Sequence, residues 1–444
     1  MRVVKNTRIS NYLSYLILIF PISLILGPTF IEIFSGLLII FFIVKLDRGF
    51  YHKNKFYINF FLIFYLYLVV RTLFFSHEFE KIKSLLFYFR FLFFCCAITY
   101  YLNKINFTKK FNLKYIFFIF LLLILDSILQ YYHGRNILSI PLHDTFRGSS
   151  FFGKELILGS FLFRMFPFIL IICILYKLDL KKNIFELSIF FSLYFYAVLI
   201  SGERTSFFLL LLTFFLLIIL INDFRKILFY SLIFFLFINL IFSFSNKNPY
   251  DRMFKYTFKQ MISQKVDSKV DLKVDSKLEE NLNNLELNKK INSFSNNYVF
   301  SREHQGHYII ALRMFLDNPI FGQGPRSFRY LCSEDRFIKS DGICTTHPHN
   351  TYLQLLAETG LIGFIFIFVL FLFTLKELVK KFFKNFKHKN RDNNFVKIKY
   401  ISLIAIFVSL FPLAPSGNFF NNWLSFVYYY PIAFYIYSIN KSKN

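Results

Sequence analysis

The sequence predicts an all-α, polytopic integral membrane protein with about twelve transmembrane helices and one large outer loop. Three observations carry this. Uncharged apolar runs of membrane-spanning length recur along the chain. Lys and Arg gather in alternate connections between those runs. Of the 444 residues, 56% are hydrophobic, so the net charge of +26 does not signal a disordered chain. Nor does it signal a nucleic-acid binder, because most of the excess base lies in those connections.

The apolar runs are 12–27, 29–45, 56–75, 85–102, 115–132, 156–176, 186–202, 205–221, 227–245, 351–375, 399–415 and 423–439. Helices are the usual way to bury backbone polar groups in lipid. Only Gly27-Pro28 separates the first two runs, so they read as two spans or as one broken hairpin. The first run has a basic lead but many runs follow it, so it reads as an anchor. The 68 Phe, with few Ala, Gly and Trp, look like AT-rich coding bias and are not read as a ligand box.

The base-rich connections are Arg2/Lys5/Arg8, Lys45/Arg48/Lys53/Lys55, Lys104/Lys109/Lys110/Lys114, Lys177/Lys181/Lys182, Arg225/Lys226, Lys376 to Lys399 and Lys441/Lys443. With twelve spans they all fall on one side, which the positive-inside rule makes cytoplasmic together with both termini. Three units follow. Residues 1–245 hold nine spans, with an outer loop at 133–155. Residues 246–350 form the large outer loop. Residues 351–444 hold three spans and the basic loop 376–399. Within the outer loop, 264–297 repeats Lys-Val-Asp and places Val266, Val270, Val274 and Leu278 four residues apart. This reads as a solvated insertion in preference to an amphipathic surface helix. Residues 298–350 are denser in Gly, Pro, Cys, His and Arg and read as ordered.

Of the 5 Cys, Cys95, Cys96 and Cys173 sit in apolar runs and read as small buried side chains. Cys332 and Cys344 lie on the side that is oxidising in a Gram-negative host, and a disulfide between them is expected. Their spacing does not fit a zinc site, and no metal or cofactor is expected. Ready thiol labelling of both in unreduced protein would sink the disulfide.

Ionisable residues inside spans are costly and are functional candidates by default. Arg71, Arg90, Arg164 and Arg204 all fall in the outer halves or at the outer ends of their spans. Asp126 and Gln130 lie toward the same side, and Arg135 and Arg147 sit in the adjoining loop. For any single Arg, snorkelling or an internal pair such as one with Asp126 explains it equally well. As a group they suit a phosphorylated lipid headgroup, because guanidinium forks match phosphate oxygens. An ion-coupled carrier would place more carboxylates at the midplane and show repeated halves. Here the spans hold only Glu32, Asp126 and Glu358, and no repeat is visible.

The most informative stretch runs from Asp317-Asn318-Pro319-Ile320-Phe321-Gly322-Gln323-Gly324-Pro325 to His347-Pro348-His349-Asn350 and on to Gly360 and Gly363. The first part is a turn closing on a Gly-x-Gly-Pro corner. The second places His349 just before a membrane helix, with Asn350 or Thr351 as N-cap. Gly360 and Gly363 allow a neighbour to approach that helix closely. On spacing alone, a surface His in a tight loop explains His349 better than a proton acceptor does.

With these motifs the sequence resembles the O-antigen ligase and O-antigen polymerase superfamily of bacterial membrane glycosyltransferases. The resemblance rests on His349-Asn350 with Gly360 and Gly363, on the preceding Asn-Pro-x-x-Gly-x-Gly, on Arg147-Gly148-Ser149-Ser150-Phe151-Phe152-Gly153, and on Ser201-Gly202-Glu203-Arg204-Thr205-Ser206. It covers most of the chain. It implies an inverting, metal-independent transfer of a glycan from undecaprenyl diphosphate to an acceptor hydroxyl at the periplasmic face of the inner membrane. His349 matches the family's general base, and Arg204 the Arg that stabilises the departing diphosphate. Arg147, Arg164, Arg90 and Asn350 join the expected binding set. The family's second loop Arg has no direct counterpart: its place falls on His304, with Arg302 or Arg313 as substitutes. The expected partners are the carrier-linked donor, a lipid A core or other glycan acceptor, and membrane lipids, with no nucleic acid. A ligase is favoured. A polymerase that joins repeat units, transfer to protein, and a lipid-linked oligosaccharide flippase are the alternatives.

Overall fold

The computed structural model describes residues 7–46, 48–75, 85–104, 111–144, 147–242, 247–255, 302–338, 344–387 and 392–442. The expected insertion at 264–297 lies outside them. Among the described residues the architecture is helical and contains no strand.

Among the described residues nine α-helices precede the large loop. They are α1 (Thr7–Leu26), α2 (Pro28–Lys45), α3 (Arg48–Phe75), α4 (Arg90–Lys104), α5 (Phe111–His133), α6 (Leu158–Leu175), α7 (Ile184–Ile200), α8 (Arg204–Leu220) and α9 (Arg225–Phe242). The loop contributes α10 (Arg302–Asp317), and α11 (Thr351–Lys387), α12 (Asn394–Ser409) and α13 (Asn422–Ser442) follow. Each apolar run of the sequence falls on a helix. Among the described residues, 6 helices are long and apolar enough to cross a membrane: α2, α3, α5, α6, the Asn222–Phe242 stretch containing α9, and α11. The first two runs are separate helices, broken where Gly27 takes φ 110, and they pack on each other.

α6 and α12 form the centre. Along α6, 94% of the membrane-length window is buried, against 22% for α2 and 28% for α3. The outer helices instead expose Phe41, Val44, Phe56, Leu66, Phe74 and Leu236. A belt of that size is not tolerated in water, so it marks a surface that faces lipid. In lipid, helices associate through packing and interhelical hydrogen bonds. The Phe excess is used for this: Phe20 meets Phe94 at 4.7 Å, and Phe91 meets Phe426 at 4.9 Å between ring centroids. Tyr430 donates to the Ile17 carbonyl at 2.9 Å and ties α13 to α1.

Two elements differ from the sequence expectation. The span expected at 351–375 is broken: Gly360 adopts φ 60 and ψ −165, which splits α11 into a short segment (351–359) and a long one (361–387). The helical apolar pattern continues through the break, which is why the sequence hides it. The basic stretch 376–399, expected as a loop, is helical to Lys387, and α12 begins at Asn394. Glu and Lys are good helix formers, and Lys384 and Lys387 complement the negative helix end. Lys381 is buried against Asp392 at 2.6 Å, and Lys399 pairs with Glu377 at 2.7 Å.

Candidate active site

Two tight corners, at Gly322 and Gly360, position the loop of the site. Gly322 has φ 68, and a Cβ there would lie 2.5 Å from the backbone of Glu358–Gly360. Gly360 faces back: a Cβ there would lie 2.6 Å from the Gly322 nitrogen. Only glycine satisfies both the left-handed backbone and the contact. The interlock is hydrogen-bonded: the Gln323 and Gly324 N–H groups donate to the Ala357 and Glu358 carbonyls at 2.8 and 2.9 Å, and Leu361 N–H donates to Pro319 at 2.9 Å. Gly363 is crowded by Thr359 of its own helix. Gly324 has φ 102 and open space around it. The neighbour that Gly360 admits is therefore the 320–322 backbone. From α3, Arg71 clamps the corner, its Nε donating to the Phe321 carbonyl at 3.0 Å and its Nη2 to Gly322.

The short segment of α11 is anchored by side chains. Asn350 Oδ1 accepts from Tyr352 and Leu353 N–H at 3.0 and 3.1 Å, which is an N-cap, while its Nδ2 donates to the Pro412 carbonyl at 2.9 Å. Gln354 Oε1 accepts from Phe419 N–H at 2.9 Å. Glu358 is fully buried and accepts from the Arg326 and Phe328 N–H groups at 2.9 and 3.1 Å and from Gln354 at 3.1 Å. It holds the loop and does not project into open space. Cys332 and Cys344 are joined, Cα–Cα 5.4 Å, and close the segment that returns to His347.

His349 sits at the N-terminal side of this platform with φ 55, a left-handed conformation that costs a non-glycine residue about 1–3 kcal/mol. Three imidazoles surround it: His347 at 4.1 Å, His304 at 5.3 Å and His307 at 5.5 Å between ring centroids. Burial, then the neighbouring imidazoles, push His349 down to about 3, and burial with His307 pushes His347 down to about 4. His347 and His349 are therefore neutral at physiological pH and can accept protons. Among the described residues, no set of three His, Cys, Asp or Glu is arranged to hold a metal ion.

The expected cations divide between places. Arg204 opens α8, close to the guanidinium of Arg252, which the sequence reading passed over. Arg252 pairs with Asp144 at 3.2 Å and donates to the Gly202 carbonyl. Arg147 donates to the Leu156 carbonyl at 3.0 Å and to Ser201 at 3.4 Å, with Glu203 nearby. Glu203 accepts from the Gly159 and Ser160 N–H groups at 2.7 and 3.0 Å and so caps α6; burial raises its pKa. Arg164 folds back onto Ser160, within one turn of that end. Arg90 lies apart, paired with Glu32 at 3.1 Å and in reach of Arg326. The Arg302 side chain lies outside the described residues. Arg313 donates to the Phe337 carbonyl at 3.0 Å. Among the described residues Asp126 pairs with no Arg; it accepts from Asn136, Ile137 N–H and Ser150.

The 410–416 loop links Arg204 to His349. Phe208, one turn after Arg204 on the same face, meets Phe411 at 5.9 Å, and the adjacent Pro412 accepts from Asn350. Ser416 N–H donates to the His349 carbonyl at 2.9 Å. Neither this loop nor His307 was singled out in the sequence. The i, i+3 spacing of His304 and His307 was a signal; the loop gave none.

Residues 189–368 match the family model described as O-antigen ligase. Over that segment the chain is similar to the O-antigen ligase superfamily. The match runs from α7 through the Gly360 break and contains Arg204, Arg252, His304, His349 and Gly363. It stops short of Arg90, Arg147 and Arg164. No curated protein matches the chain. The apolar helices indicate a membrane protein, and the matched segment is similar to membrane enzymes of the O-antigen ligase and polymerase type.

Proposed function

We propose that the protein is a ligase-like glycosyltransferase that moves a glycan from undecaprenyl diphosphate to an acceptor hydroxyl, such as one on the lipid A core. The supporting observation is the placement of His349: a neutral imidazole held in a strained backbone on an N-capped platform, joined through one loop to the helix that Arg204 opens. In this reading the chain crosses the inner membrane about twelve times, both termini are cytoplasmic, and the histidines lie on the periplasmic side.

The acceptor oxygen attacks the anomeric carbon from the face opposite the diphosphate. The new C–O bond forms as the bond to the phosphate oxygen breaks, with inversion. His349 takes the acceptor proton, and the lipid diphosphate leaves carrying the bonding electrons. Arg204, with Arg147 and Arg252, stabilises that leaving charge. Among its buried imidazole neighbours His349 is a weak base. The arriving diphosphate is negative, favours the imidazolium and strengthens the base when the donor is present. A diphosphate is already a good leaving group, so fixed guanidinium groups and a base suffice without a metal.

The test is surface glycan in strains expressing His349→Ala or Arg204→Ala at normal abundance. Transfer should fall about 10²–10⁴-fold for the base and about 10²–10³-fold for the cation. Full activity in either variant refutes its role. A deletion strain separates the acceptor classes: ligase loss accumulates long carrier-linked glycan, whereas polymerase loss leaves single repeat units at the surface.

A further inference from the structure

We propose that Arg326 and Arg329 form a second anion-binding subsite, beside the histidines, that takes a phosphate group of the acceptor. This rests on the glycosyl-transfer reading above for the word acceptor, and on the loop geometry for the anion.

Arg326 is a non-glycine residue at φ 62, held there because Glu358 grips the N–H groups of residues 326 and 328. Such strain is kept where the surroundings enforce it, and it marks candidate sites. The corner places two guanidinium groups three residues apart, within electrostatic reach of each other. Among the described residues neither makes an ion pair, unlike Arg90, Arg252 and Arg336. Glu358 lies in reach of Arg326, but its oxygens are taken by the two backbone N–H groups and Gln354. Three buried polar atoms in the same neighbourhood have no partner: Arg326 Nε, Ser327 Oγ and His347 Nε2. Ser327 is only 3% exposed, so water does not readily satisfy it. Arg329 is exposed and in reach of His347.

Unpaired like charges with orphaned donors beside them are what a phosphate satisfies, since it offers several acceptor oxygens and cancels the repulsion. The donor diphosphate is assigned to the other group, where Arg147, Arg204 and Arg252 come from different elements. A second phosphate must then arrive with the other substrate. It has two sources: a phosphate monoester on the acceptor glycan, or the diphosphate of a second carrier lipid that holds a growing chain.

The experiment is calorimetric titration of the purified full chain in nanodiscs with two probes, mannose 6-phosphate for the monoester and farnesyl diphosphate for the carrier. If the monoester is the ligand, mannose 6-phosphate binds once. Its affinity then falls about tenfold in Arg329→Ala and further in Arg326→Ala/Arg329→Ala, with less than a twofold change in Arg204→Ala. If the carrier is the ligand, farnesyl diphosphate binds twice per chain and once in the double variant. Because Arg329 is exposed, the single variant tests the idea even if the double variant misfolds. Unchanged binding of both probes in Arg329→Ala overturns the proposal, as does failure of both probes to bind the wild type at millimolar concentration. A loss of phosphate binding alongside normal transfer in His349→Ala would leave this subsite standing and remove the catalytic reading instead.

Discussion

Two helices hold the loops of the site with the same chemistry in opposite order. On α5, Asp126 and Gln130 lie one turn apart; on the short segment of α11, Gln354 and Glu358 do. In the first pair Gln130 accepts from the Ser149 and Ser150 N–H groups at 2.9 and 2.6 Å, while Asp126 accepts from Ile137 N–H at 2.9 Å. In the second, the carboxylate takes the two loop N–H groups, while the amide accepts from Phe419 N–H and donates to Asn418 Oδ1. The outcome differs for the arginines. Arg147, on the first loop, is turned onto carbonyls. On the second loop Arg326 and Arg329 have only backbone tied down, and their guanidinium groups stay unpaired among the described residues. A buried acid near a membrane surface can thus be an organiser of loops, and the reactive residues are those the loops present.

The comparison can be broken by removing each acceptor in turn. Glu358→Ala should be the most damaging. It orphans two buried N–H groups, each costing about 1–3 kcal/mol, for a loss of about 2–6 kcal/mol. Glu358→Gln retains one acceptor oxygen, orphans one of the two N–H groups and should lose about half of that; thermal unfolding of the purified protein measures both. If Glu358→Ala unfolds at the wild-type temperature, the carboxylate does not hold the loop. Asp126→Ala orphans Ile137 N–H and should cost about 1–3 kcal/mol, with limited proteolysis between 133 and 155 as the local readout.

Acid should act on the second loop and spare the first. The folded pKa values of His347 and His349 lie below the unfolded value near 6.5, at about 4 and about 3. Between pH 6.5 and 4 the unfolded loop binds protons that the folded one refuses, so stability is present above 6.5 and falls as pH drops through that window. Hydrogen exchange at 344–353 should accelerate there while 147–152 does not change. Equal acceleration in both would break the contrast. The smallest effect is expected for Arg71→Lys, which keeps the charge but loses the two-carbonyl grip on Phe321 and Gly322. It should cost about 1 kcal/mol and be visible as a small loss of thermal stability.

The sequence revealed the helices well, because lipid imposes long uncharged runs that no fold context can rearrange. The 349–363 motif and Arg204 were marked by the family resemblance, since on spacing alone His349 reads as a surface residue of a tight loop. The break at Gly360 could not, since its cause is the approach of a backbone forty residues earlier in the chain, at Ile320–Gly322. The roles of Asp126 and Glu358 were hidden for the same reason: in sequence they are intramembrane acids, and only the distant loops show that they serve as acceptors. Arg252 lay in a stretch dominated by a polar insertion, and nothing local marked it as a neighbour of Arg204.

The left-handed backbone at His349 sets stability against chemistry at a single position. A glycine there would adopt φ 55 without strain and should make the fold more stable by about 1 kcal/mol. It would also remove the imidazole. Selection for thermal robustness alone would therefore favour discarding the proposed base, so under the proposed function position 349 gives up stability for activity.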